Sequence, residues 1–241
     1  MLLKKLEPEL TINTGVDNMI DESEENTIYL QTISDKIIDN SCSRRVDINN
    51  DERLVCGIDV CSYMRNTVTI QFRKGNDARS YKKYSIYLDS VKDIDNIIDI
   101  LYKVKPDIIN VSGGSIGSLI KASLSELAFN AYEIELGKKP INNTHYSDTA
   151  SELWHTMRTW LFNYGCINEN DLFMKYELET TEFKIDNKDR ISVEDKLSRI
   201  NRVGMSSNSA NALALTFAEH VVPSNCKCKC KCNRKCNRDI E

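Results

Sequence analysis

Nowhere do the 241 residues hold the roughly 20 consecutive apolar residues that a membrane-crossing helix needs. Met1-Leu2-Leu3-Lys4-Lys5 gives way to charge rather than to an apolar stretch, so a secretion signal is missing too. Both absences imply a protein of the cell interior with no membrane partner. Excess positive charge is also lacking: 32 Lys and Arg against 36 Asp and Glu leave a formal net charge of −4. No global field draws in nucleic acid, and any such contact must come from a local patch that salt weakens. The loop Gly-x4-Gly-Lys-Ser/Thr, whose backbone amides hold nucleotide phosphates, does not occur, which excludes a P-loop ATPase in these residues. Histidine is scarce as well. His145 and His155 have no partner at metal-ligand spacing, and only His220 lies near a group of cysteines.

Cysteine, by contrast, is present nine times. Cys42, Cys56, Cys61 and Cys166 are scattered through the body of the chain and read as reduced thiols, some of them core filler. The other five alternate with Lys from Cys226 to Cys236. Thiolates in such a run suit soft ions such as Cu(I) or Zn²⁺, yet the separated Cys-x2-Cys pairs of a structural zinc site are missing. A low-complexity extension that adheres to nucleic acid is the alternative reading.

An apolar content of 41% suffices for one core. Three segments follow from composition: a polar, acidic extension over residues 1–52, a folded domain over 53–222, and the Cys/Lys-rich tail over 223–241. In the extension, Ile28, Leu30, Ile33, Ile37 and Ile38 have the spacing of a short amphipathic helix. Short strands are expected at 54–60, 67–73 and 82–88. A helix follows through Val91, Ile94, Ile97, Ile98 and Leu101, ended by Pro106. A buried strand at 107–112, a helix at 116–127 and a last strand at 132–136 come next. A long helix is expected over 148–163, then a polar excursion over 168–193 with a hairpin, and finally a helix carrying Ala210, Leu213, Ala214, Phe217 and Val221. Strands first, then strands alternating with helices, predict an α/β fold with a mixed sheet and helices on both faces.

The informative motifs sit at strand and helix ends. Cys56-Gly57-Ile58-Asp59-Val60 puts an acid near the end of the first strand, and Ile109-Asn110-Val111-Ser112-Gly113-Gly114 puts an amide before a glycine turn. The Gly113-Gly114-x-x-Gly117 spacing suits a tight turn rather than a phosphate loop, since neither the full Gly-x-Gly-x-x-Gly pattern nor a P-loop Lys is present. Ser206 and Ser207 are cap candidates for the closing helix, and Asn208 and Asn211, three residues apart, share one face of its first turn. Arg65, Arg73, Lys74, Arg79, Lys82 and Lys83 form a basic cluster that suits either phosphate contacts or a solvated face.

In that order these motifs, together with Ser151-Glu152-Leu153-Trp154 and Glu194-Asp195-Lys196, resemble the C-terminal nuclease domain of phage and viral large terminase subunits. The resemblance runs from about Arg53 to Val221. It implies a ribonuclease H-like mixed β-sheet flanked by helices, a Mg²⁺- or Mn²⁺-dependent endonuclease site, double-stranded DNA as partner, and a place in a DNA-packaging motor of the host cytoplasm. It implies that Asp59, Asn110, Asn208 and Asn211 converge at one pocket, with Asp59 as metal ligand. Here the chain departs from the family. The acids of the middle and closing motifs are Asn110, Asn208 and Asn211, Asn66 stands where many members carry Asp, and Ser207 replaces Pro. An amide offers an oxygen but no charge, so metal binding is expected to be weak. A swinging acid, Asp148, Glu177, Glu194 or Asp195, would be needed to rescue it. The sequence therefore leaves four readings: an impaired nuclease domain, a slow endonuclease, a non-catalytic DNA-binding or assembly module beside a separate ATPase chain or portal protein, or an inert scaffold whose Cys tail is the functional part as a soft-metal binder.

Overall fold

A computed structural model describes residues 29–31, 33–47, 51–63, 65–90 and 92–218. The Cys/Lys tail, His220, Val221 and the acidic cluster near residue 22 lie outside the described residues. Alternation in three strands sets the architecture. In β2 (Leu54–Cys61), β3 (Thr67–Lys74) and β5 (Ile108–Ser112) every second residue is a large apolar one: Leu54, Cys56 and Ile58, then Val68, Ile70 and Phe72, then Ile109 and Val111. These side chains form one face and pack under α2 (Asp93–Val104) and α3 (Ser115–Glu126), which contribute Ile94, Ile97, Leu101, Ile120 and Leu124. Strands β4 (Tyr84–Tyr87) and β6 (Ala131–Ile134) complete a five-stranded sheet of order β4-β3-β2-β5-β6. β2, β3 and β4 pair antiparallel, while β5 and β6 run parallel to β2 after the α2 and α3 crossovers.

The other face of the sheet is small and polar, with Gly57, Asp59, Thr69, Gln71, Asn110 and Ser112, and the polar members are buried. It is covered by α7 (Asn208–Leu215), whose apolar surface continues into a second cluster. That cluster is built by α1 (Asp35–Ser43), α4 (Thr149–Asn163) and α5 (Leu172–Thr180). Ile33, Ile37, Ile38 and Cys42 belong to it, and Arg44 donates to the carbonyls of Leu161, Phe162 and Gly165 at the end of α4. From Ile33 onward the expected extension therefore packs into the domain. The helix expected through Ile28 to Ile38 begins only at Asp35, because residues Tyr29–Gln31 form β1 on a small antiparallel sheet with β7 (Glu182–Ile185) and β8 (Ile191–Val193).

Two helices interrupt or follow the expected polar excursion. α5 buries Met174, Glu177 and Leu178 but exposes Leu172, Phe173 and Tyr176, so its apolar residues make no single stripe. α6 (Lys196–Val203) starts at an Asp195 cap that accepts from Leu197 N and Ser198 N, and it stops at left-handed Gly204. α7 has Ser207 at its cap position, but no side-chain cap bond forms there. Glu177 reaches across from α5 instead, and the Ala210 N–H donates to its Oε2 at 2.8 Å. Burial pushes the Glu177 carboxyl up to about 7, against the pull of that amide and of Lys83 and Arg199.

Gly57 sets how closely α7 approaches. A Cβ at this position would lie 1.9 Å from the Ala212 carbonyl oxygen, a backbone atom that cannot swing aside. Gly57→Ala is expected to lower the unfolding free energy by about 2 kcal/mol or more through forced separation of α7 from β2. Urea denaturation checks this, and an unchanged midpoint would mean that the helix tolerates the shift.

Candidate functional site

The site is organised around a carboxylate with no exposure. Asp59, on the polar face of β2, has zero accessible surface. A bare carboxylate in that setting is strongly disfavoured, and two groups compensate for it. The Lys196 ammonium at the start of α6 donates to Asp59 Oδ1 at 2.7 Å, to Oδ2 at 2.9 Å and to the Val60 carbonyl at 2.8 Å. These three bonds use all of its hydrogens. The Asn211 amide on α7 also favours the charged form of Asp59. Its own Oδ1 accepts from Trp154 Nε1 of α4 at 2.8 Å. Burial raises the Asp59 pKa, and Lys196 and Asn211 offset part of that rise. Four elements thus meet on one buried charge pair.

The remaining amides lie elsewhere. Asn110 faces α7, but its Nδ2 donates to the Leu215 carbonyl at 2.9 Å, near the far end of that helix. The β2–β5 register pairs Gly57 with Asn110 and Ile58 with Val111, so the next step sets Ser112 beside Asp59. Ser112 Oγ accepts from Val60 N at 2.8 Å, which fixes that level. Asn110, the residue that the resemblance implies, lies two positions before this level in the strand. Asn208 and Asn211 do not share a site either. Asn211 lines a cleft of about 610 Å³ with Lys196, Ser112, the Gly113-Gly114 turn and Trp154. Asn208 lines a different cavity. Of the four residues expected to converge, Asp59 and Asn211 do.

No protein-family model matches the sequence, and no curated protein matches it. Solved structures do. The nuclease domain of the large terminase subunit gp2 of bacterial virus Sf6 aligns with a TM-score of 0.64 at 10% identity, over 77% of this chain and 97% of that one. A lysine-to-alanine variant of that domain, with manganese and beta-thujaplicinol, gives 0.66 at 10% identity over the same shares. The large terminase nuclease from thermophilic phage G20c gives 0.54 at 11% identity, over 78% of this chain and 98% of that one. The fold is that of a terminase nuclease domain. The expected ribonuclease H-like sheet with flanking helices is therefore the observed architecture.

The G20c relatives include forms with bound magnesium and cobalt. In this chain the residues around Asp59 do not fit such an ion. Among the described residues no three His, Cys, Asp or Glu side chains are grouped to hold a metal. Both oxygens of Asp59 are engaged by an ammonium, which brings positive charge to the place where a cation needs negative ligands. The acids that might have swung in are held. Asp148 caps α4 and accepts from Ser151 N and Oγ. Asp195 caps α6, Glu194 binds Arg202, and Glu177 caps α7.

Lys196 is the residue that the sequence reading undervalued: it closes the Glu194-Asp195-Lys196 segment but was given no role. The basic cluster has local work. Arg73 donates to Thr216 Oγ1 and its carbonyl and lies over the Phe217 ring. Lys83 pairs with Asp171, and Arg65 with Asp89. Trp154 and Trp160 are core residues as expected, and Trp154 also steers Asn211. His155 accepts a place beside the Tyr146 hydroxyl at 2.8 Å. Burial lowers its pKa to about 4. The four described cysteines are free and buried. No helix among the described residues is long and apolar enough to cross a membrane.

Lys196→Met leaves a buried carboxylate without its counter-charge and is expected to cost about 3–5 kcal/mol. Combining it with Asp59→Asn should restore most of that loss in a double-mutant cycle followed by denaturant unfolding. A coupling under about 1 kcal/mol, the level of an exposed bridge, would show that the pair does not carry the site.

Proposed function

We propose that this chain is a terminase nuclease-like DNA-packaging module that binds duplex DNA without cutting it. The observation that carries the reading is the Lys196–Asp59–Asn211 arrangement, which is charge-balanced without any metal. Nucleases of this kind need divalent ions to activate water and to stabilise the leaving oxygen. Asp59 is engaged, the side chains at 112 and 211 are neutral, and the other carboxylates of the cleft, Glu135, Asp148, Glu194 and Asp195, are each held by another partner, so the site has little to offer an ion of charge +2. The cleft beside it remains, lined by the Gly113-Gly114 turn and Lys196 among others. The duplex in this reading is bound by its backbone in the interior of a host cell during packaging, outside the acidic part of the cleft that Glu135, Asp148, Glu194 and Asp195 line. In this reading a separate ATPase chain, and the portal protein through which DNA passes, supply the rest of the motor.

A slow metal-dependent endonuclease is the competing reading, and retention of Asp59 is what favours it. Supercoiled plasmid incubated with Mg²⁺ or Mn²⁺ separates the two. The expected outcome is salt-sensitive retardation of duplex DNA with no nicking by the wild-type chain. Nicking that disappears in Asp59→Ala would overturn the non-cutting reading and establish the endonuclease.

A further inference from the structure

A second cavity, of about 490 Å³, lies on the other side of the segment that joins α6 to α7, and among the described residues it shares no lining residue with the cleft. Neighbouring residues divide between the two. Ser207 and Asn211 line the cleft, whereas Ser206, Asn208 and Ser209 line the second cavity. Its sheet wall comes from the ends of β2, β3 and β4, with Cys61, Thr69 and Ser85.

Two polar atoms of residues that line it have no hydrogen-bond partner among the described residues: Ser206 Oγ and Asn208 Oδ1. Ser206 is 9% exposed, so its hydroxyl is nine-tenths buried beside an opening of ligand size. Buried polar atoms of this kind are costly to leave without a partner, and a ligand that supplies one relieves that cost. The rim is of opposite character. Phe173 of α5 is 65% exposed and Tyr87 of β4 is 57% exposed. The Arg65 guanidinium lies 4.2 Å from the Tyr87 ring centroid, and its bridge to Asp89 is solvent-exposed and readily exchanged.

Two unpartnered hydrogen-bonding groups in the lining, exposed aromatic rings and an exchangeable cation suit a planar heterocycle with a polar edge and an attached phosphate. We propose that this cavity binds a single unpaired nucleotide, its base edge toward Ser206 and Asn208, its ring against Phe173 or Tyr87, and its phosphate toward Arg65. Stacking of this kind tolerates any base, while hydroxyl and amide groups meet the base edge. The site extends the nucleic-acid reading above to a different ligand form, since a paired duplex cannot present a free base edge here.

Fluorescence anisotropy of a labelled oligothymidylate, with a duplex of equal length measured in parallel, tests this on the full chain. Phe173→Ala alters an exposed residue outside the core and is expected to weaken single-strand binding about tenfold, as loss of one stacked base does. Ser206→Ala should weaken it as well, and Ile141→Ala, a 61% exposed control outside both cavities, should not. Duplex affinity should stay the same in all three variants, which separates this outcome from failure of the cleft reading. Displacement of the oligonucleotide by thymidine monophosphate would show that a free nucleotide suffices. Displacement by unlabelled oligonucleotide alone would show that the occupant is a strand. Absence of single-strand binding, or equal weakening in Ile141→Ala and Phe173→Ala, would overturn the proposal.

Discussion

The close seating of α7 on the polar face of the sheet is the constraint from which the rest follows. Gly57 lets the Ala212 carbonyl approach the β2 backbone at a distance that no side chain would allow. That approach removes water from Asp59, so the carboxylate must find every partner within the protein. Lys196 at the start of α6 and Asn211 on α7 provide them, and Asn110 anchors the opposite end of the same helix through the Leu215 carbonyl. Even the cap of α7 is borrowed, from Glu177 on α5. The helix is thus tied to β2, β5, α4 and α5 by polar groups.

Charge balance explains why such a face is tolerated. Several carboxylates gathered at one buried point repel one another unless cations are present. Here the gathered groups sum to one negative and one positive charge. An amide at 211 is the same shape as an acid, accepts from Trp154 and still has hydrogens to offer Asp59, which an acid would not have. A hydroxyl at 112 does similar work by accepting from Val60 N. The Lys196–Asp59 pair balances its own charge, while on the same face Asn110 Oδ1 is buried without a hydrogen-bond partner among the described residues.

Much of this was legible in the sequence. Strand alternation gave β2, β3 and β5 nearly to the residue, and the order of motifs pointed to the fold and to Asp59 and Asn211. Register was not legible. Asn110 and Ser112 both follow apolar residues in one strand and lie on the same face, so only the pairing with β2 decides which stands beside Asp59. Asn208 and Asn211 look equivalent on a helical wheel, yet the first turn of α7 sits on the divide between two cavities. α5 escaped notice because Phe173 and Tyr176 are apolar and exposed while Glu177 is polar and buried, the reverse of an amphipathic pattern. Lys196 was hidden for another reason: nothing in a lone lysine shows that its ammonium will lie on a carboxylate 137 positions away.

The central claim is that an ammonium stands in for metal charge at Asp59. Titration of Mn²⁺ into the wild-type chain, with free ion followed by its electron paramagnetic resonance signal, tests it most directly. The account predicts that the free-ion signal rises as in buffer, with no site taken up at stoichiometric protein. Tight uptake of Mn²⁺ by the wild type that is lost in Asp59→Ala would contradict it.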